Sequence, residues 1–420
     1  MNDTCSGNDR AILRELGQQK AEIAHLDIQK QRREKWRRLN DLEPIHPLVW
    51  INEIPWNEMN VDDELTCRCG DPFLQRIETR LRQELYRWRH MPGHMIVDDS
   101  LAAPPALQST RFGIDTAQTF IKKDDTSGVA SHAYQAQIRE LDDVNKIKDP
   151  VLTLDRGQTD RDYALLCDIF DGVLTVVPGG IQMCVDNAWD VLVQWTGVET
   201  ILLDLAMRPE FVHACMRRLT DAFIAYLDQL ESLGLLVPNA NNTRIGTGAY
   251  GYTKELPDQR AKNQTPKQLW GGAMAQIFSE VSPDMHEEFA LQYEREWLTR
   301  FGLAYYGCCE PLDRKIAIVR RHIPNLRKIS MSPWVKDTAE AAARCRDYGL
   351  VFSLKPSPAV LTGTFNPERI AADLKTTLRT VKDAGANVEI IMKDISTVEY
   401  HPDRLWQWAD IAVRAANEFN

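Results

Sequence analysis

The chain predicts an α/β protein on a parallel sheet, with a TIM-type (β/α)8 barrel, distorted and preceded by an N-terminal helical extension, as its architecture. Two observations lead there. From Gly93 onward, short apolar runs of strand character alternate with helical stretches, and such alternation requires parallel strands joined by crossover helices. About eight of these units fit into roughly 300 residues, which favours a barrel over a doubly wound sheet. A third observation removes the main alternative. No G-x-G-x-x-G follows a strand and opens a helix, because GTGAYG at 246–251 leads into TKELP.

Taken in order, residues 9–40 have helical composition without proline and predict one or two helices ending near Asn40. Residues 43–56 (EPIHPLVWINEIPW) hold Pro44, Pro47 and Pro55 around LVWI and read as an extended crossing segment. A helix over 71–89 has Asp71 as N-cap and Pro72 in its first turn. Cys67 and Cys69 precede it as a C-x-C with no second ligand pair nearby. Residues 1–90 are thus expected to form the extension, and 91–420 the barrel. The extension either caps the bottom of the barrel or forms the contact of a homodimer.

Within 91–420, strands are expected at 94–99 (HMIVDD), 132–138, 151–155 and 173–177. Residues 185–233 read as wholly helical, and 239–252 as a glycine-rich loop. Further strands follow at 270–278, 303–306, 327–332, 350–355 and 388–394, separated by helices at 284–300, 337–348, 367–384 and 403–418.

Composition narrows the function. The chain is 44% apolar and 26% charged, ordinary for a globular enzyme, and its net charge of −10 argues against a nucleic-acid partner. Lys30–Arg38 is the one basic cluster, and acidic residues flank it as on a solvated helix face. No apolar run reaches the roughly 18 residues of a membrane span, and the N-terminus lacks the build of a signal peptide. A cytoplasmic, membrane-free protein is expected. Nine cysteines, an odd number scattered along the chain, suggest reduced thiols, with Cys167, Cys215 and Cys345 packed inside helices.

In a parallel α/β fold, the carboxyl ends of the strands carry the chemistry. Those ends hold Asp98, Asp99, His132, Gln137, Asp155, Gln276, Ser332, Lys355, Lys393 and Asp394. The most distinctive is the turn Gly307-Cys308-Cys309-Glu310-Pro311 after LAYY. Adjacent side chains on a strand point to opposite faces, so both thiols reach one point only where the strand breaks. Gly307 and Pro311 supply that break. Cys308, Cys309 and Glu310 then make a candidate zinc set, since zinc takes thiolate, imidazole and carboxylate ligands, with His132 or His286 available from elsewhere. Simple packing of the pair and a nucleophilic cysteine stay open beside it.

Several stretches in order (LLDLAMRPEFVHACMRRL, FSEVSPDMHEEFALQYE, LAYYGCCEPLD, NLRKISMSPW, SLKPSP and EIIMKDISTVEYHPDRLWQW) resemble the uroporphyrinogen decarboxylase-like superfamily. They are most similar to its branch of corrinoid-dependent methyltransferases, over roughly residues 90–420. The resemblance implies a distorted TIM barrel and a zinc enzyme. Such an enzyme moves a methyl group between a small molecule of the methoxy or methylamine type, or a thiol, and the cobalt of a corrinoid (cobalamin). No D-x-H-x-x-G occurs here, so the corrinoid would ride on a partner protein. Two departures from the family pattern stand out. Tyr306-Gly307-Cys308 replaces His-x-Cys, and SLKPSP lacks the later cysteine.

On this reading zinc is held by Cys308, Cys309 and Glu310. Asp98, Asp155 and Asp394 are candidate acids and bases, and His132, Tyr250, Gln276, Tyr306, Lys355 and Lys393 would touch substrate. Two other readings use the same barrel. One is a metal-independent decarboxylase or lyase working through its acids and Lys355 or Lys393. The other is a non-enzymatic corrinoid- or tetrapyrrole-binding protein.

Overall fold

A computed structural model describes residues 6–122, 130–259, 261 and 264–419, without the side chains of 120–122 and 130–132. Its centre is a seven-stranded sheet in which every neighbouring pair is parallel. We number these strands β1 (Leu48–Ile51), β2 (Cys184–Asp186), β3 (Trp270–Ala273), β4 (Leu303–Tyr306), β5 (Leu326–Met331), β6 (Val351–Leu354) and β7 (Val388–Met392). Their order across the sheet is β1-β7-β6-β5-β4-β3-β2. The protein is therefore mixed α/β with a barrel-like sheet, and among the described residues no strand pairing joins β1 to β2 to close it.

The first half of the chain departs from expectation. Residues 94–99 form no strand, and Ser100–Ala103 pairs instead with Thr175–Pro178 in a separate two-stranded sheet. Leu152–Leu154 pairs antiparallel with Leu107–Ser109, and Ala130–Tyr134 with Gln118–Lys122. The expected strands at 94–99, 132–138, 151–155 and 173–177 are thus outside the central sheet. Two strands stand in for them. LVWI is β1, bonded along its length to β7, and β2 lies at the head of the stretch read as helical. The helices Ala188–Thr196, Val198–Met207 and Pro209–Ser232 follow it.

Alternation along the strands sorts side chains onto two faces. The outer face (Val49, Ile51, Ala304, Tyr306, Ile329, Phe352, Ile390) joins the main apolar core with the surrounding helices. The inner face is polar at its centre. Lys328 and Glu389, both fully buried, pair at 2.9 Å. Glu389 also accepts from Ser353 Oγ at 2.7 Å, and Ser353 Oγ lies 3.0 Å from Tyr305 Oη. Lys355 Nζ donates to Tyr305 Oη at 2.6 Å and also to Ser330. Such a network is tolerated because each member has partners.

Residues before 90 do more than extend the sheet. Trp36, on the helix Asp27–Asn40, joins Leu48, Val351 and Ile391 of the sheet in one apolar cluster. Asn40 Nδ2 donates to the carbonyls of Tyr250 and Tyr252 at 2.8 Å each. The segment 245–250 covers the inner face so closely that a Cβ on Gly248 would stand 2.5 Å from Glu389 Oε1. The helix Pro72–His90 starts as expected, with Asp71 capping Phe73 N and Leu74 N at 2.8 and 2.9 Å.

Removing one partner of a buried pair strands the other charge, which costs about 3–5 kcal/mol. Lys328→Met is expected to lower stability by about that much in urea unfolding, and the Lys328→Met/Glu389→Leu double variant by clearly less. Equal losses in the two variants would refute the assignment of the penalty to an orphaned Glu389.

Candidate active site at the carboxyl ends of the strands

Gly307 ends β4 with φ +98°, a conformation side chains resist, and a Cβ there would meet Leu312 Cδ1 at 2.4 Å. This break turns both cysteines to one side, with Cys308 Sγ and Cys309 Sγ 3.4 Å apart. β7 delivers Lys393 and Asp394 to the same place. Lys393 Nζ lies 3.2 Å from Cys308 Sγ, 3.6 Å from Cys309 Sγ and 2.6 Å from Asp394 Oδ2. Cys309 Sγ is 3.2 Å from that carboxylate oxygen. From the end of β1, Glu53 accepts from Asp394 N at 3.1 Å and faces Lys393 Nζ at 3.8 Å. Glu53 and Asp394 both hold left-handed φ values, +52° and +56°, the kind of strain that clusters at functional sites.

The charges reinforce one another. The bond to Cys309 and the Lys393 ammonium hold the Cys308 thiol below its ordinary range, against the opposing effect of burial. The same bond pushes Cys309 far up, so Cys309 keeps the proton. Burial alone would weaken the Lys393 charge, but the Cys308 thiolate together with Glu53 and Asp394 outweighs it and keeps the ammonium protonated. Burial likewise opposes the Asp394 charge, and the adjacent ammonium holds its carboxyl below the usual range. The cluster can therefore present a thiolate, an ammonium and a carboxylate together.

A cavity of about 690 Å³ opens onto this cluster. Its lining includes Cys308, Lys393, Asp394 and Gln276 as well as an aromatic group, Phe112, Trp195 and Phe223. The aromatic wall is self-supporting, with Phe112 4.8 Å from Phe223 and edge-on to Trp195 at 6.4 Å. Beneath the floor lie further buried acids. Burial pushes Asp186 and Asp190 each up to about 6, and Glu294 well above the usual carboxylate range. Among the described residues, Asp186 Oδ2, Asp190 Oδ1 and Glu294 Oε1 have no hydrogen-bond partner.

The other expected site residues are elsewhere. Asp98 pairs with Arg33 of the helix Asp27–Asn40 at 2.8 Å. Asp155 caps the helix Arg156–Phe170 through Gln158 N at 2.8 Å. Tyr250 accepts from Ile96 N at 3.2 Å, behind the inner face. Tyr306 points to the outer layer, within 2.6 Å of His286 Nε2 and donating to Glu294 at 2.7 Å. Lys355 belongs to the inner-face network and lines a different cavity, of about 270 Å³. The His132 side chain is outside those described. Sequence reading missed Glu53, Arg244 and Thr247, which also line the main cavity.

The donors do not fit a three-ligand zinc. Glu310 is fully buried and turned away, accepting from Cys308 N at 2.8 Å and Ala275 N at 3.3 Å. The point that Cys308, Cys309 and Asp394 share is taken by the Lys393 ammonium. Among the described residues no three His, Cys, Asp or Glu side chains are grouped as a metal needs. The eight described cysteines are all free thiols. Among the described residues, no helix is long and apolar enough to cross a membrane.

No family model and no curated protein sequence matches the chain. Among solved structures, a methyltransferase from Methanosarcina mazei shares the fold with a TM-score of 0.51 at 11% identity, over 92% of this chain and 98% of that one.

Two outcomes follow from these charges. Iodoacetamide is expected to alkylate Cys308 as pH rises through its lowered pKa, and Lys393→Met to move that profile upward. An unmoved profile would mean that the ammonium does not hold the thiolate. For Asp186 the folded pKa is raised from 3.8 to about 6, so the folded chain keeps a proton that the unfolded chain releases. Stability is then lost as pH rises between these values, by an amount of order 3 kcal/mol when complete. Asp186→Asn is expected to be more stable than the parent chain at about pH 7.5, and the gain to vanish near about pH 4. An equal gain at both would rule out the buried charge as its source.

Proposed function

We propose that this chain is a methyltransferase, with Lys393 and Cys308 at the floor of the cavity as the groups that face the transferred methyl's heteroatom. The observation that carries the reading is the Cys308–Lys393–Asp394 cluster at the carboxyl ends of β4 and β7, opening onto an apolar-walled cavity. The likeness of fold to a methyltransferase supports it, as do the stretches that resemble the corrinoid-dependent branch. The carrier is taken to be the corrinoid of a partner protein, whose cobalt supplies the electron pair that accepts the methyl group.

What the chain's own residues do follows from charge. When a methyl group leaves a heteroatom, the carbon–heteroatom bond breaks and its electron pair stays behind. The heteroatom thus becomes more negative. Lys393 Nζ is a fixed positive donor for that charge, and a preorganised donor of this kind is worth most in a water-poor site. Asp394 and Glu53 hold the ammonium in place, and Cys308 as thiolate keeps it protonated. The aromatic wall would pack the body of the donor. A leaving oxygen has lone pairs for this donor and a quaternary ammonium has none, so the site favours methoxy donors over fully methylated amines. The zinc step implied by the resemblance has no part in this proposal, because the donors around Lys393 do not fit it.

Incubation with methoxy and methylamine donors and a reduced corrinoid protein, followed by the visible spectrum of the cobalt, is the test. Methylation is expected with a methoxy donor, and Lys393→Met is expected to lower kcat about a hundredfold or more with a smaller change in KM. Full activity in Lys393→Met, or methylation by quaternary amines alone, would overturn the assignment.

A further inference from the structure

A second cavity, of about 560 Å³, adjoins the first and shares Glu53 and Arg244 with it. Its walls include Trp50, Trp56 and Tyr250, and three guanidiniums: Arg80, Arg87 and Arg244. Arg80 and Arg87 lie two turns apart on one face of the helix Pro72–His90. Both donate to main-chain carbonyls. Arg80 Nη1 donates to Ala102 O at 3.2 Å, and Arg87 Nη2 to Ile51 O. The Arg87 guanidinium also sits 4.1 Å over the Trp50 ring, which fixes its plane.

Neither arginine has a carboxylate within ion-pair distance among the described residues. Two glutamates also line the cavity, and both are engaged elsewhere. Glu84 takes Lys20 Nζ at 2.7 Å, and Glu53 is shared among Arg244, Lys393 and Asp394 N. A guanidinium carries five donors, and a half-buried one left without a counter-ion is costly unless something outside the chain supplies it. That cost falls on the half-buried Arg87, whose pKa burial lowers, while Arg80 is exposed. Planar, multi-donor arginines are suited to carboxylate and phosphate oxygens.

We propose that this second cavity binds the oxyanion, a carboxylate or a phosphate, at the far end of the substrate whose reacting end lies at Lys393. The proposal rests on the reading of the first cavity for its account of the reacting end. The anion site itself stands on the arginines alone. A molecule spanning both cavities would pass Arg244 and Glu53, which touch each. Its body would be apolar, to suit the aromatic wall of the first cavity.

Calorimetric titration of the full chain at low salt with benzoate, acetate and inorganic phosphate, beside benzamide as the neutral control, tests this without any turnover. Binding of at least one anion, weaker with added salt and absent for benzamide, is expected. If benzoate or acetate binds and phosphate does not, the oxyanion is a carboxylate, and the reverse result assigns a phosphate. Arg87→Gln should weaken the bound anion about tenfold or more. Arg87 also braces Trp50, so exposed Arg80→Gln serves as the second variant, expected to weaken the same anion without loss of stability. No anion bound by the parent chain, or unchanged affinity in both variants, would overturn the site. Anion binding lost in the variants of a chain that transfers no methyl group would leave this site standing and remove the methyltransferase reading.

Discussion

One buried ion pair organises the sheet. Lys328 on β5 and Glu389 on β7 meet across β6, and each is fully enclosed. Because a lone charge there would cost several kcal/mol, every element that touches the pair must supply a polar group or stay away. Ser353 and Tyr305 supply hydroxyls, the Tyr250 carbonyl accepts from Lys328 at 3.1 Å, and Trp36 and Trp270 present ring faces near 6 Å. The segment 245–250, the helix Asp27–Asn40 and five strands are thereby fixed to one point.

That fixed interior sets what happens one layer higher. Ser330 Oγ donates to the carbonyl of Cys308 at 2.6 Å, and Thr247 Oγ1 donates to that of Gly307 at 3.0 Å. The turn that carries the two thiols is therefore hung from the same network. Lys393 arrives beside it because it follows β7 directly, four residues after Glu389 and so on the same inward face. The functional groups are held by rigid strand ends, while the aromatic wall comes from Phe112 in the insert between β1 and β2 and from Trp195 and Phe223 on the helices after β2. The chemistry and its substrate wall are built from different parts of the chain.

Sequence reading succeeded where local pattern and tertiary role agree. The GCCE turn, β3 to β7 and the capped helices between them were legible because glycine, proline and alternation mark them. β1 was hidden by its flanking prolines, and β2 is only three residues long ahead of a helical run. HMIVDD carries apolar residues that pack behind the inner face without strand pairing, so periodicity misread it. Glu310 shows a different limit. Adjacency in sequence placed it with the thiols, yet its carboxylate turns inward to cap the amides that shape the turn. Arg87 and Arg244 come from segments far apart in the chain, and only the fold makes them neighbours of one cavity.

Every role given to the site depends on the Lys393 ammonium occupying the point that Cys308, Cys309 and Asp394 share. Metal content of anaerobically purified protein after zinc is offered and free ions are removed tests it most directly. No stoichiometric zinc is expected in the parent chain. About one zinc per chain, lost in the Cys308→Ser/Cys309→Ser variant, would contradict it and would put a metal where the ammonium is assigned.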